Sequence, residues 1–204
     1  MSLTFRPAVA ADATQAVPLI YSSGPLAFDY VFDQPAKGSA LDFLHFAFRD
    51  GRGEFGFRQH WVGELEGRVV AVGTAFSGVA NLRNSISALR QILSFYGPRH
   101  GWSVIGRGLR IEQLIRPPSR SVLYLAHLGV VPALTGQGIG GQLIAHLLQQ
   151  AEPQALRTAA LDVAASNPLA QRLYERLGFR VCAERASAIA GLAAHRYMER
   201  PLSS

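Results

Sequence analysis

Gly136, Gly138, Gly140 and Gly141 fall within six consecutive residues, directly after the apolar run Leu128-Gly129-Val130-Val131 and its Pro132. Ile139, Leu143, Ile144, Leu147 and Leu148 then recur at helical spacing, so the glycines sit where a strand turns into an amphipathic helix. The chemistry such a turn offers is anion binding by backbone. With side chains removed, the N–H groups ahead of the first helical hydrogen bond stay bare at the positive end of the helix dipole, which suits a phosphate. Two familiar phosphate loops do not fit. A P-loop needs Lys and then Ser or Thr after its last glycine, where this chain has Gly141-Gln142. The dinucleotide fingerprint needs G-x-G-x-x-G, where this chain has G-x-G-x-G. A tight turn that needs glycines only for packing is the plainer alternative, and their density argues against it.

Some twenty residues downstream, Leu161-Asp162-Val163-Ala164-Ala165 reads as a strand, and Ser166-Asn167-Pro168 opens a helix with an N-cap residue and a first-turn proline. Leu169, Leu173 and Leu177 form an apolar stripe with Ala170 and Tyr174 beside it; Gly178 ends the helix as a left-handed cap, and Phe179 begins the next strand. In this order the two segments resemble the GNAT superfamily of acetyl-CoA-dependent N-acetyltransferases. That family's cofactor loop is written [RQ]-x-x-G-x-[GA]; Gly138 and Gly140 match it, with Thr135 in place of Arg or Gln. Its later signature is matched one by one by Asn167, Ala170, Tyr174, Gly178 and Phe179. The firm resemblance runs from Val122 to Val181, and the N-terminal half agrees in the order of its elements.

The resemblance implies an α/β fold, a mixed and mostly antiparallel central sheet flanked by helices, and acetyl transfer from acetyl-CoA as co-substrate to a primary amine by direct attack. It places the cofactor on Leu128, Val130, Thr135, Gly136, Gln137, Gly138, Ile139, Gly140, Gly141 and Asn167. A bulged fourth strand would aim a backbone N–H near Val130 at the thioester oxygen while the Leu128 carbonyl pairs with the pantetheine arm, and glycine at 129 is compatible with a bulge. A hydroxyl at Thr135 donates to a phosphate oxygen without the charge or reach of guanidinium.

Tyr174 is the candidate acid for the departing thiolate. His127 is the only histidine on the fourth strand, and imidazole titrates near neutrality. Strand alternation, however, sets Tyr124 and Ala126 on one face and Leu125 and His127 on the other, so a core histidine with water as base stands beside the catalytic reading. For the acceptor, the resemblance points to the segment Ser22 to Phe32, where Phe28, Asp29 and Tyr30 offer aromatic walls and one carboxylate, and to Tyr124. A small amine, a peptide N-terminus and a lysine side chain all stay open.

The elements that must hold these residues follow from pattern. Leu3 to Val9 reads as a strand, Ala11 to Ser22 as a helix, and Leu41 to Phe48 as a helix after Gly38-Ser39. Trp61 to Leu65 and Val69 to Phe76 form a hairpin around Glu66-Gly67. Leu82, Ile86, Leu89, Ile92 and Leu93, then Val104 to Leu114, suggest a helical insertion over about 81–118, between the third and fourth strands and near the cleft. Ser121 to Val131, Leu156 to Ala165 and Phe179 to Glu184 are the next strands, with a closing strand within Ile189 to Met198.

At 204 residues, one domain spanning 1–204 is expected. No apolar run reaches the ~18 residues of a membrane helix, and Arg6, Pro7 and Asp12 interrupt any leader-like stretch. The one cysteine, Cys182, sits between Val181 and Ala183 as a packed strand thiol; it leaves no internal disulfide and no metal cluster, and a cytoplasmic setting follows.

The net charge of +6 rests on arginine, Lys37 being the only lysine. Arg99, Arg107, Arg110, Arg116 and Arg120 share a segment whose only acid is Glu112, which reads as a solvated basic surface or as a rim attracting a polyanionic cofactor. A nucleic-acid partner would want aromatic interleaving beyond Trp102. A homodimer is compatible with everything above. Two other functions stand against the enzyme: a non-catalytic acetyl-CoA-binding sensor or scaffold, and a basic nucleic-acid adaptor.

Overall fold

In the computed structural model, which describes residues 3–150 and 156–202 and only the backbone over 79–83, the alternating runs form a single seven-stranded sheet. The strands are β1 (Thr4–Pro7), β2 (His60–Leu65), β3 (Arg68–Ser77), β4 (Val122–Val130), β5 (Thr158–Ala164), β6 (Arg180–Arg185) and β7 (His195–Pro201). They lie in the order β1-β2-β3-β4-β5-β7-β6, antiparallel throughout except for the β4–β5 pair. The strand expected to close the sheet, β7, is inserted between β5 and β6, because it satisfies the whole length of β5 by pairing Thr158–Ala164 with His195–Pro201.

Helices cover both faces. α1 (Ala13–Ser22) and α3 (Ala40–Asp50) pack Ala16, Val17, Ile20, Leu44 and Phe48 against Val62, Val69 and Val72. α3 begins as its sequence demands: the Ser39 hydroxyl accepts from the Asp42 N–H, and Asp42 reaches back to the Ser39 N–H at 2.9 Å. On the other face, α5 (Ile139–Gln149) and α6 (Pro168–Arg176) pack with Leu125, Leu161, Phe179 and Met198 around Leu143, Ile144 and Leu147.

The structure adds one helix to the elements read from sequence and corrects two expectations. The segment after Gly24 is a helix, α2 (Pro25–Phe32), because Pro25 occupies the first turn, where its missing N–H costs nothing. The apolar stripe of α6 does not bury Leu169, which is 67% exposed; Tyr174 is the buried residue, and Ala170, Leu173 and Leu177 flank the core. Cys182 is exposed on β6, the edge strand of the sheet, none of whose residues is buried.

The insertion is α4 (Gly78–Leu114), broken at Gly97 (φ 71°) just before Pro98, so the two helical runs of the sequence are two halves of one arm. A Cβ on Gly78 would lie 2.4 Å from the Pro118 carbonyl oxygen, so the chain enters and leaves the arm at one point. Tyr96, fully buried, ties the arm to α2 by donating its hydroxyl to the Phe32 carbonyl at 2.6 Å. Ile92, Tyr96 and Val104 complete a cluster with Val31, Phe32 and Phe43. Among the described residues, no helix is long and apolar enough to cross a membrane.

Candidate active site

Two departures from regular pairing create the site. β4 and β5 pair only through Val122–Tyr124 and Thr158–Ala160, then diverge, so the edge of β4 that faces β5 is left outside the ladder from Leu125 onward. On its other edge, β4 carries a bulge. Val72 pairs with Gly129 and Thr74 with Ala126, so Gly73 faces both His127 and Leu128. His127 takes up the extra residue in the left-handed region at φ 55°.

This corrects both the bulge site and the alternation. The bulge lies at His127–Leu128 and not at Gly129. Leu128 turns to the α5 side, 2.9 Å from where a Cβ on Gly73 would be, and His127 turns to the opposite side, against Phe28 and Phe55. Gly129 is needed for a different reason: a Cβ there would lie 2.3 Å from the Leu19 carbonyl oxygen on α1.

A cavity of about 480 Å³ runs through the gap between β4 and β5. At one end are Asn167, Ala170 and Tyr174 of α6. At the other are Phe28 and Phe32 of α2, Glu54 and Phe55, and Ile105, Leu109 and Glu112 of the arm. Tyr124, Leu125, Ala126 and Leu128 line the middle, and His127 faces the Phe28 and Phe55 end.

Of the residues proposed from sequence, Phe28, Tyr124, His127, Leu128, Asn167 and Tyr174 therefore meet in one space. Asp29 and Tyr30 do not line it. The Asp29 carboxylate accepts the Tyr21 hydroxyl at 2.9 Å, and Tyr30 packs on the cluster of α2, α3 and the arm. Asn167 caps α6, its Oδ1 accepting from the Ala170 N–H at 3.1 Å. Burial pushes the Tyr174 hydroxyl up to about 12, so it holds its proton at neutral pH.

The glycine turn lies outside this cavity, on the surface at the N-terminus of α5. Gly138 is the N-cap, in the left-handed region at φ 83°, and the first bond of the helix runs from the Gln142 N–H to the Gly138 carbonyl. The N–H groups of Gly138, Ile139, Gly140 and Gly141 precede that bond, and no heavy atom comes within 4 Å of a Cβ placed on Gly136. Thr135 and Gln137 are exposed beside them, and Val130 packs beneath Gly140, 3.8 Å from where its Cβ would be. The turn thus fits a phosphate-bearing group: bare donors, open space and no acid in the loop.

Around His127 the hydrogen bonds fix a direction. The buried His60 places Nδ1 2.9 Å from the Gly56 carbonyl, which only accepts, so Nδ1 carries the proton and Nε2 is bare. Nε2 lies 3.1 Å from His127 Nδ1, which must therefore donate. The remaining His127 nitrogen, Nε2, keeps its lone pair when the ring is neutral and lies 3.5 Å from Glu54 Oε1. Burial, with His127 alongside, pushes His60 down to about 3, so it stays a neutral acceptor.

The loop that brings Glu54 here is tied to the arm, since Gln91 Nε2 donates to Asp50 Oδ2 and to the Arg52 carbonyl, each at 2.9 Å. Deeper in the gap, Asp162 is raised to about 6 by burial, against the Tyr124 hydroxyl at 2.8 Å and Arg185 at 3.4 Å. Glu54, His60, Asp162 and Glu112 escaped the sequence reading. The one signal for them was the dense Gly51-Arg52-Gly53-Glu54-Phe55-Gly56 loop, which marks a tight turn and no particular chemistry.

A strand bulge and a β4–β5 gap thus open beside a glycine-capped helix. The chain belongs to the acetyltransferase (GNAT) family, whose model matches residues 27–179. Over 55 residues it is 42% identical to the ribosomal protein bS18-alanine N-acetyltransferase of Escherichia coli (strain K12), covering 27% of this chain and 37% of that protein. The chain thus aligns with little more than a third of the length of the curated relatives it matches.

Its fold is similar to that of an N-acetyltransferase from Staphylococcus aureus Mu50, at 17% identity with 96% of this chain and 99% of that chain covered and a TM-score of 0.69. It is also similar to an acetyltransferase structure from Salmonella typhimurium solved with acetyl-CoA, at 18% identity, 100% and 96% coverage and a TM-score of 0.58.

Proposed function

We propose that this protein transfers the acetyl group of acetyl-CoA to an amine by direct attack. The observation that carries the reading is the continuous cavity through the β4–β5 gap, with His127 toward one end and Tyr174 at the other. In this scheme the glycine turn at Gly136–Gly141, with Thr135 and Gln137, takes the pyrophosphate. Leu128, Val130 and Asn167 line the path of the pantetheine arm.

The amine nitrogen attacks the thioester carbonyl carbon, forming the C–N bond as the C–S bond breaks. His127 Nε2 takes the proton the amine loses, His127 being held in the required tautomer by His60 and Gly56. The Tyr174 hydroxyl gives its proton to the departing thiolate. Tyr124, tied to Asp162, shapes the middle of the acceptor path together with Phe28. The E. coli relative named for a protein alanine makes a peptide amine one acceptor to test, beside small amines. A cytoplasmic setting fits the single unpaired cysteine.

The experiment is thiol release from acetyl-CoA with a panel of primary amines and peptides, each product verified by mass. Acetylated product with stoichiometric thiol supports the reading. Thermal stabilisation by acetyl-CoA without thiol release on any acceptor would leave a cofactor-binding module in its place.

A further inference from the structure

We infer that the acceptor end of the cavity is built for an amine that carries a second positive charge on the same molecule. The inference rests on the proposed activity for its reactive end and on the cavity wall for the rest. The whole chain has 20 Lys and Arg against 14 Asp and Glu. Yet among the described residues none of the Lys or Arg lines this cavity, whereas Glu54, Glu112 and Asp162 all do.

Asp162 is already answered by Arg185 and by the Tyr124 hydroxyl. Glu54, 3.5 Å from His127 Nε2, and Glu112 have no lysine or arginine beside them in the cavity wall among the described residues. They come from different elements, the loop after α3 and the second half of the arm, and they are close enough that Glu54, after desolvation, helps hold the Glu112 carboxyl above its ordinary range. A carboxyl raised by burial and by a neighbouring carboxylate, on a wall with no lysine or arginine among the described residues, is relieved by a cation beside it.

Phe28, Phe32 and Phe55 line the same wall, and an ammonium over the face of such a ring is attracted by its quadrupole. A second observation points independently to a polar ligand at this wall. Asn84 of the arm lines the cavity at 4% exposure, and its Nδ2 finds no hydrogen-bond partner among the described residues. It stands by the Glu54 loop, since a Cβ on Gly53 would lie 3.5 Å from the Asn84 carbonyl oxygen. A hydroxyl or carbonyl oxygen on the acceptor would satisfy that donor.

The test is calorimetric binding of 1,5-diaminopentane and pentylamine to the intact protein in the presence of CoA, so that no turnover is needed. The diamine binds at least about tenfold more tightly at low salt, and the margin shrinks as salt screens the second charge. Glu112→Gln cuts the ratio between the two ligands at least about fivefold, with the melting temperature measured alongside to show that the fold is kept. Equal affinities, or a ratio untouched by Glu112→Gln, overturn the inference. Selective diamine binding without acetylation of either amine would uphold this wall and sink the activity. Equal kcat/KM for both amines would uphold the activity and sink this wall.

Discussion

The two ends of the cleft are made of different material. The glycine turn, the proposed cofactor end, is backbone: four N–H groups ahead of the first bond of α5, an αL glycine, and no side chain in the way. All of it comes from one short stretch of chain, and it sits on the surface. The acceptor end is side chain: Phe28 from α2, Glu54 from the loop after α3, Glu112 from the arm, and His127 from a strand bulge. Nothing there is local, and each group is aimed by packing over long sequence separations.

The sharpest way to break this contrast is at the point where the two ends must work together. Tyr174→Phe keeps the packed ring and removes the proton. Turnover should fall by roughly 10²–10⁴-fold with little change in acetyl-CoA affinity, and less when the leaving thiol is made more acidic. Near-normal turnover, measured where chemistry limits the rate, would reduce Tyr174 to a packing residue.

Gly138→Glu attacks the backbone end. A side chain in the left-handed region and a carboxylate in the phosphate path together should weaken acetyl-CoA by about 10- to 100-fold in titration while the helix persists. Unchanged binding would take the turn out of the site.

Gly129→Ala acts on the frame between the ends. Its methyl would meet the Leu19 carbonyl oxygen at 2.3 Å, so α1 must move. A stability loss of about 1–3 kcal/mol in denaturant melts is the expected outcome.

His60 sharpens the side-chain end through pH. Its folded-state value, about 3, lies below the ordinary 6.5, so the unfolded chain binds the extra proton first. The stability it contributes is present above pH 6.5 and is lost as pH falls toward 3. His60→Asn should flatten that stretch of the melting-temperature profile relative to the parent protein. Equal slopes would mean His60 is not the buried neutral acceptor the geometry makes it.

The smallest effect belongs to Thr135→Arg, which adds a charge beside the exposed turn. It should tighten acetyl-CoA by a few-fold, about 1 kcal/mol or less. Weaker binding would show the turn to be shaped around a small residue.

The sequence by itself determined whatever is encoded locally. The glycine turn and its helix, the Ser39 cap, the hairpin at Glu66-Gly67, the break at Gly97-Pro98 and the Asn167-to-Phe179 signature are each written within a few residues, because caps, turns and helical periodicity are short-range effects. Tertiary structure decided the rest. A non-glycine residue forced to positive φ at His127 leaves no mark in sequence, and that one residue reversed the expected face of the strand and carried His127 into the cavity. Asp29, a plausible anchor by type, was taken by Tyr21 eight residues away. Glu54 and Glu112, 58 positions apart in the chain, reach one cavity because the arm breaks at Gly97 and docks through Tyr96 on α2. Side-chain chemistry gathered from separate elements is fixed by packing among them, and no local pattern announces it.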